Sequence, residues 1–249
     1  MGVGGTEGLA PQIIAEADLP QRSRAWFDAR RGCVGTATEA AIIACDFPPF
    51  EDYPKSWQEH RDTKGEPRDL PEAALEAIAW GVKYEPEALD WWNRQARYAR
   101  GAVWEPVCAK REIAPGVTIW ASLDACAEIN GQNESLEIKC PHGARDGYLW
   151  RQLRRSRIPS NYYWQMMSQA LTLDTLDVWM LGYIPKSERT NKSGWAVLKP
   201  PRQEVAVETG FLSMLWQMFS ADMEQPTAEE LLGIHKAARH MSAGVDRIS

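Results

Sequence analysis

The sequence predicts an α+β fold in which a central mixed β-sheet is flanked by helices. Three observations carry this. Residues 103–140 run in short, alternating, β-branched stretches; helical spacing prevails on both sides of that block; and strand-like runs near 177–184 and 195–199 interleave with helical ones. No internal repeat or second boundary breaks the pattern, so residues 21–249 read as a single domain behind a loosely ordered segment, 1–20.

That first segment is Gly-rich and weakly patterned up to Leu19-Pro20. Gln21–Arg31 then sets Trp26 and Phe27 among polar residues, and Thr36-Ala37-Thr38-Glu39 offers N-cap candidates for the short apolar run that follows. Residues 46–70, punctuated by Pro48, Pro49, Pro54, Gly65 and Pro67, read as loop with one helical turn around Trp57. Leu70–Arg100 is the best long helical stretch, with Ala73, Ala74, Ala77, Ile78, Trp80, Ala88, Leu89 and Trp92 at helical spacing; Gly81 and Pro86 are expected to split it.

The block from Val103 to Cys140 divides into consecutive antiparallel strands, with Asp124 opening one of them and a turn at Asn130-Gly131-Gln132-Asn133 before the next. Helices are expected near 143–155 and 159–173, then the two later strands, then helices near 208–222 and 227–240.

Composition bounds the function. The chain has 249 residues, 44% hydrophobic and 25% charged, which suits one large globular domain. No run reaches the roughly 18 apolar residues of a membrane span and the start lacks a leader's basic and apolar regions, so a soluble, cytoplasmic protein is expected. Five widely spaced cysteines without a CxxC pair suit reduced thiols; Cys140 and His142 could supply two metal ligands, but no second pair sits at finger spacing. A net charge of −6 argues against a general nucleic-acid binder, yet the charge is segregated. Arg145, Arg151, Arg154, Arg155 and Arg157 face only Asp146, interleaved with Tyr148 and Trp150, whereas Asp222, Glu224, Glu229 and Glu230 are unopposed. The basic run reads either as a backbone-tracking nucleic-acid surface or as a solvated helix face.

Chemistry concentrates at Asp124 and Glu137-Ile138-Lys139. Residues i and i+2 of a strand share a face, so Glu137 and Lys139 project together, and the turn at 130–133 folds Asp124 back beside them. Two carboxylates and a backbone carbonyl form a hard-oxygen site of the kind magnesium takes, and a lysine beside it can orient a nucleophilic water. Spacing alone does not decide this, because an acid-x-Lys triplet is expected about once by chance in a chain of this composition. A second triplet, Asp62-Thr63-Lys64, lies in the Pro/Gly-rich loop without an upstream acid. From spacing alone the pair also reads as an exposed ion pair on a sheet face.

Four ordered motifs add a resemblance. Trp120-Ala121-Ser122-Leu123-Asp124-Ala125 followed by Leu136-Glu137-Ile138-Lys139-Cys140-Pro141 resembles the core of the lambda-type (YqaJ-like) alkaline exonucleases, viral recombination nucleases of the restriction-endonuclease-like PD-(D/E)xK superfamily. Trp26 through Arg30-Arg31-Gly32 into Thr36-Ala37-Thr38-Glu39 resembles the segment where that family grips a terminal 5′-phosphate. Gly81-Val82-Lys83-Tyr84-Glu85 resembles its Gly-x-x-Tyr-Glu helix, and Tyr162-Tyr163-Trp164-Gln165 the helix that brings a glutamine to the scissile region. Two departures stand out: an extra residue, Gly35, before Thr36, and Leu123 where many relatives have proline.

The resemblance implies a restriction-endonuclease-like core with Lys139, Glu85, Asp124 and Glu137 catalytic. It implies Mg2+, replaceable by Mn2+, held by Asp124, Glu137 and the Ile138 carbonyl, and phosphate or DNA contacts from Arg30, Thr38 and Gln165. The implied activity is 5′-to-3′ digestion of double-stranded DNA to mononucleotides, leaving a 3′ single strand. The implied partners are DNA ends, two further copies in a trimeric ring and a single-strand annealing protein, in a bacterial or phage-infected cell. Other readings are a restriction-like endonuclease, a repair nuclease of other polarity, or a silent DNA-binding module of the same fold. Taken singly, Glu85 reads as an N-cap or first-turn acid, Arg30 as a surface charge, Thr38 as a cap and Gln165 as a polar residue on an amphipathic helix.

Overall fold

A computed structural model describes residues 10–21, 23–47, 54–63, 71–142, 147–186 and 193–243. Lys64 and Arg145, each part of a motif singled out above, lie outside the described residues. Strands β1 (Gln12–Ala15), β3 (Glu105–Ala114), β4 (Val117–Ile129), β5 (Gln132–Lys139), β6 (Val178–Ile184) and β7 (Gly194–Leu198) lie side by side in that order, and β2 (Gly35–Thr36) joins β4 to complete a 7-stranded sheet. The β5–β6 and β2–β4 pairings are parallel and the rest antiparallel, so the sheet is mixed, as predicted.

Helices cover both faces. Helix α4 (Glu72–Asn93) and the single turn α5 (Ala96–Ala99) seat Ala88, Trp92 and Ala99 against Ala125, Leu136, Ile138, Leu181 and Tyr183. The opposite face receives α2 (Ala40–Ile43), α7 (Ser160–Leu173) and α8 (Arg202–Ser220) over Val178, Met180 and Ile184, and α9 (Ala228–Met241) packs on α8. Period-two alternation assigns the two faces. Leu136 and Ile138 point to the α4 layer, which sends Glu137 to the α7 side, where it is 0% exposed.

Several elements depart from the sequence reading. Residues 12–15, expected to be loose, form edge strand β1, whose register Gln12↔Lys110 to Ala15↔Val107 satisfies backbone groups that alternation alone did not advertise. The helix expected to break at Gly81 and Pro86 runs through both. Pro86 lies on the exposed face, where water can solvate the carbonyl that loses its partner, and buried Ala88 and Trp92 pin the following turns. Glu85 is therefore a mid-helix residue rather than a first-turn acid. Around Trp57 a seven-residue helix, α3 (Trp57–Thr63), replaces the single expected turn, and α8 begins at Arg202, directly after Pro201 at its N-cap.

The strand expected to open at Asp124 is the second half of one 13-residue strand, β4. Its register against β3 shifts between Glu105↔Cys126 and Val107↔Leu123, so one extra β4 residue is accommodated there, opposite Pro106. Proline has no N–H to give the ladder, and a bulge at such a point re-aims the local side chains. Asp124 sits in that bulge. On its other side β4 pairs with β5 from Ala125↔Leu136 to Ile129↔Gln132 through a two-residue turn, Asn130-Gly131, with φ of 53° and 78°. These left-handed values are what a tight hairpin turn of this sequence requires.

Candidate active site

The β4–β5 ladder stops at Ala125↔Leu136, and beyond it the strands are joined by a side chain. The Ile138 N–H donates to Asp124 Oδ2 at 2.7 Å, which anchors the Asp124 carboxylate at the mouth of the opening. Lys139 then folds its ammonium into the same space. Its Nζ donates to the Ile138 carbonyl at 3.2 Å, pairs closely with Glu137 Oε1, and lies 3.9 Å from Asp124 Oδ2. The face of Tyr162 lies 5.2 Å away. The lysine cation thus touches every oxygen group that the sequence assigns to a metal.

Electrostatics agree with that geometry. Burial, then Glu137 and Glu85, hold the Asp124 carboxyl well above its ordinary value, against the opposing effects of Lys139 and the Ile138 amide. Burial would lower the Lys139 ammonium, but Glu137 and Asp124 together outweigh it and raise it. Three carboxylates and one ammonium leave an excess of negative charge that a divalent cation would neutralise. Among the described residues no three acidic, histidine or cysteine side chains converge as a metal cluster. A cation here would draw on Asp124, Glu137 and the Ile138 carbonyl, with water and substrate oxygens completing its shell. These residues fit a hard divalent ion: they are oxygen donors, and they already hold a cation in the form of the Lys139 ammonium.

Glu85 projects from α4 near enough to act on Asp124 and on Cys140, whose thiol is pushed up first by burial and then by Glu85. Its Oε1 would lie 3.2 Å from a Cβ at position 81, so Gly81 leaves room for the carboxylate to fold back along the helix. The ring of His142 packs 5.2 Å from that of Trp80.

The N-terminal motif meets the same strand. In α1 (Arg24–Arg30) Ser23 caps the helix by accepting the Trp26 N–H, and Trp26 Nε1 donates to Ser122 Oγ at 3.2 Å, two residues before Asp124. Arg30 lies over the Trp26 ring at 4.1 Å; burial lowers its guanidinium while Glu39 opposes the change. The neighbouring Arg31 is exposed and paired with Asp28 at 2.9 Å. In the 3-10 turn Ala37–Glu39, Glu39 accepts the Thr36 N–H at 2.7 Å and Thr38 Oγ1 lies 3.0 Å from Thr36 Oγ1. The additional Gly35 has a local reason: a Cβ there would fall 2.1 Å from the buried Trp216 indole.

Gln165 is half-buried on α7. One turn later, Gln169 reaches the site instead, donating to Glu137 Oε2 at 2.6 Å. Sequence reasoning missed it, although Ser168-Gln169 is a polar pair inside the otherwise apolar run Met166–Leu171. Helix α6 (Tyr148–Arg154) buries Trp150 and Leu153 against β6 and β7, where glycines 182 and 194 make room, and leaves Arg151 and Arg154 exposed. Arg157, Tyr148 and Lys199 border an open groove of about 830 Å³ beside it.

Fold and site together define an α+β domain, a mixed sheet flanked by helices, with two acids and a lysine gathered at a strand bulge. The model of the YqaJ-like viral recombinase domain matches residues 25–175, and the chain belongs to that family. The resemblance to lambda-type alkaline exonucleases read from the sequence is thereby borne out. Among solved structures, an alkaline exonuclease from Laribacter hongkongensis (LHK-Exo) superposes with a TM-score of 0.52 at 17% identity, covering 90% of this chain and 100% of its own. A complex of LHK-Exo with dAMP matches with a TM-score of 0.48, the same identity and the same coverage. No curated protein matches the chain. Among the described residues no helix is long and apolar enough to cross a membrane.

Proposed function

We propose that this protein is a magnesium-dependent exonuclease that digests one strand of double-stranded DNA from its 5′ end, releasing mononucleotides and leaving a 3′ single strand for annealing. The observation that carries the reading is the convergence of Asp124, Glu137 and the Ile138 carbonyl on one cation position, which the Lys139 ammonium fills. Manganese, of like charge and ligand preference, is expected to substitute.

Bound there, magnesium would polarise the phosphodiester and make a water more acidic. The protein's own groups do the rest. Asp124, anchored by the Ile138 amide, and Glu137 supply the charge that holds the cation. Lys139, on its flexible stem, gives up its place among the oxygens, turns its N–H groups to the attacking water and offsets charge developing on the phosphate. Glu85 adds negative charge at the edge of the centre, and Gln165 contributes a polar contact to the scissile region. Arg30 and Thr38 grip the terminal 5′-phosphate; the stacking of Arg30 on Trp26, itself tied to Ser122, sets that grip beside β4. The exposed arginines of α6 and Arg157 add electrostatic contact to the duplex.

The family reading extends to a trimeric ring, in which basic side chains from each copy line the DNA path while the exterior stays acidic, and to a single-strand annealing protein that receives the 3′ strand. On the same reading the protein acts in the cytoplasm of a bacterial or phage-infected cell. The test is digestion of a linear duplex labelled separately at its 5′ ends and internally, with magnesium or EDTA, using wild type beside Asp124→Ala. Magnesium-dependent mononucleotides from 5′-phosphorylated ends, absent in the variant, are expected. Internal cuts would indicate an endonuclease instead, and intact DNA throughout a silent binding module.

A further inference from the structure

The link between α7 and Glu137 goes beyond the acid–acid–lysine centre. Gln169 and Glu137 are both 0% exposed, and the amide Nε2 donates to Glu137 Oε2 at 2.6 Å. The other oxygen, Oε1, is the one that faces the Lys139 ammonium. The two oxygens of one buried carboxylate therefore have separate partners, an amide on the helix side and a cation on the open side.

The amide gains nothing from its neighbours on the helix. Gln169 Oε1 is buried without a hydrogen-bond partner, and its helix neighbours Met166, Met167, Ala170 and Leu171 are apolar. A methionine would fill similar space without that unsatisfied acceptor, but it would leave the buried Glu137 Oε2 without its donor. Turning the amide over would satisfy nothing, because it would press its oxygen against the carboxylate. The benefit that offsets the unsatisfied acceptor must therefore lie at Glu137.

We infer that Gln169 is a positioning residue: it holds Glu137 Oε2 back and so presents Oε1 to the cation position. The inference rests on the proposed metal-dependent reading and adds to it the group that orients one of the two carboxylates. Hydrogen bonds of this kind orient metal-binding carboxylates, and losing one weakens metal affinity by about 10–100-fold.

The test is calcium and magnesium binding by calorimetry on DNA-free protein, comparing wild type with Gln169→Met and Ser168→Ala. Ser168 is the buried neighbour whose own hydroxyl lacks a partner. Gln169→Met is expected to weaken metal binding by about tenfold or more in protein that still unfolds cooperatively in EDTA. Ser168→Ala should leave metal affinity unchanged. In cleavage, Gln169→Met should raise the magnesium needed for half-maximal rate more than it lowers the rate at saturation. Should Gln169→Met not fold, Gln169→Glu carries the test: it keeps the size, replaces the donor by a like charge and is expected to weaken binding in the same direction. A folded Gln169 variant that binds metal within about twofold of wild type, well below the expected loss, overturns the positioning role alone. A wild-type protein that binds neither ion overturns the metal reading together with it.

Discussion

Replacing Asp124 by asparagine should abolish cleavage and make the metal-free protein more stable. In the metal-free site Asp124 is largely buried beside Glu137 and near Glu85, with the Lys139 ammonium 3.9 Å from Oδ2 as its cationic neighbour. Asparagine is nearly isosteric, and its Oδ1 can still accept the Ile138 N–H that Oδ2 accepts at 2.7 Å. The change therefore removes a like charge without removing the hydrogen bond. Relief of such a functional-site conflict is worth about 1 kcal/mol, in the range of single stabilising changes. For a chain of this size that amounts to roughly 2–4 °C in melting temperature. Because the folded-state value of Asp124 is raised, its contribution to stability is fully present below its ordinary value of 3.8 and is lost as pH rises through the raised value. The advantage of the variant should accordingly grow as pH rises from about 4 to about 8. Thermal unfolding in excess EDTA and in excess magnesium, at both pH values, is the assay. Magnesium should raise the melting temperature of wild type and not of the variant. A variant less stable than wild type in EDTA at the higher pH, or one stabilised by magnesium as much as wild type, would refute the reasoning.

Three further outcomes are expected. Lys139→Met should lose cleavage while keeping DNA binding, measured by filter retention in calcium, and should bind calcium at least as tightly as wild type, because the competing ammonium is gone; retained wild-type turnover would contradict the role of Lys139. Arg30→Ala should slow digestion of 5′-phosphorylated duplex and leave digestion of 5′-hydroxyl duplex nearly unchanged, seen by comparing the two substrates at equal enzyme. Gly35→Ala should destabilise the fold by about 1–3 kcal/mol in urea unfolding, since its methyl group would sit 2.1 Å from the rigid, buried Trp216 ring.

The order and kind of most elements are legible in the chain alone. Period-two alternation from Val117 to Lys139, the Asn130-Gly131 turn and helical spacing from Ser160 to Leu173 are local signals, and local sterics suffice to read them. The sequence also singled out Asp124, Glu137 and Lys139, because strand periodicity puts the last two on one face and the hairpin returns the first beside them. The rest arises from contacts between distant segments. The bulge at Asp124 depends on Pro106 in a neighbouring strand, the β1 edge on backbone groups of β3, and the passage of α4 through Pro86 on the burial of Ala88 and Trp92. Gln169 joins Glu137 from 32 positions away along the chain. Each of these rests on a pairing between segments that share no local periodicity, and such pairings exist only once the sheet and its covering helices have brought the segments together.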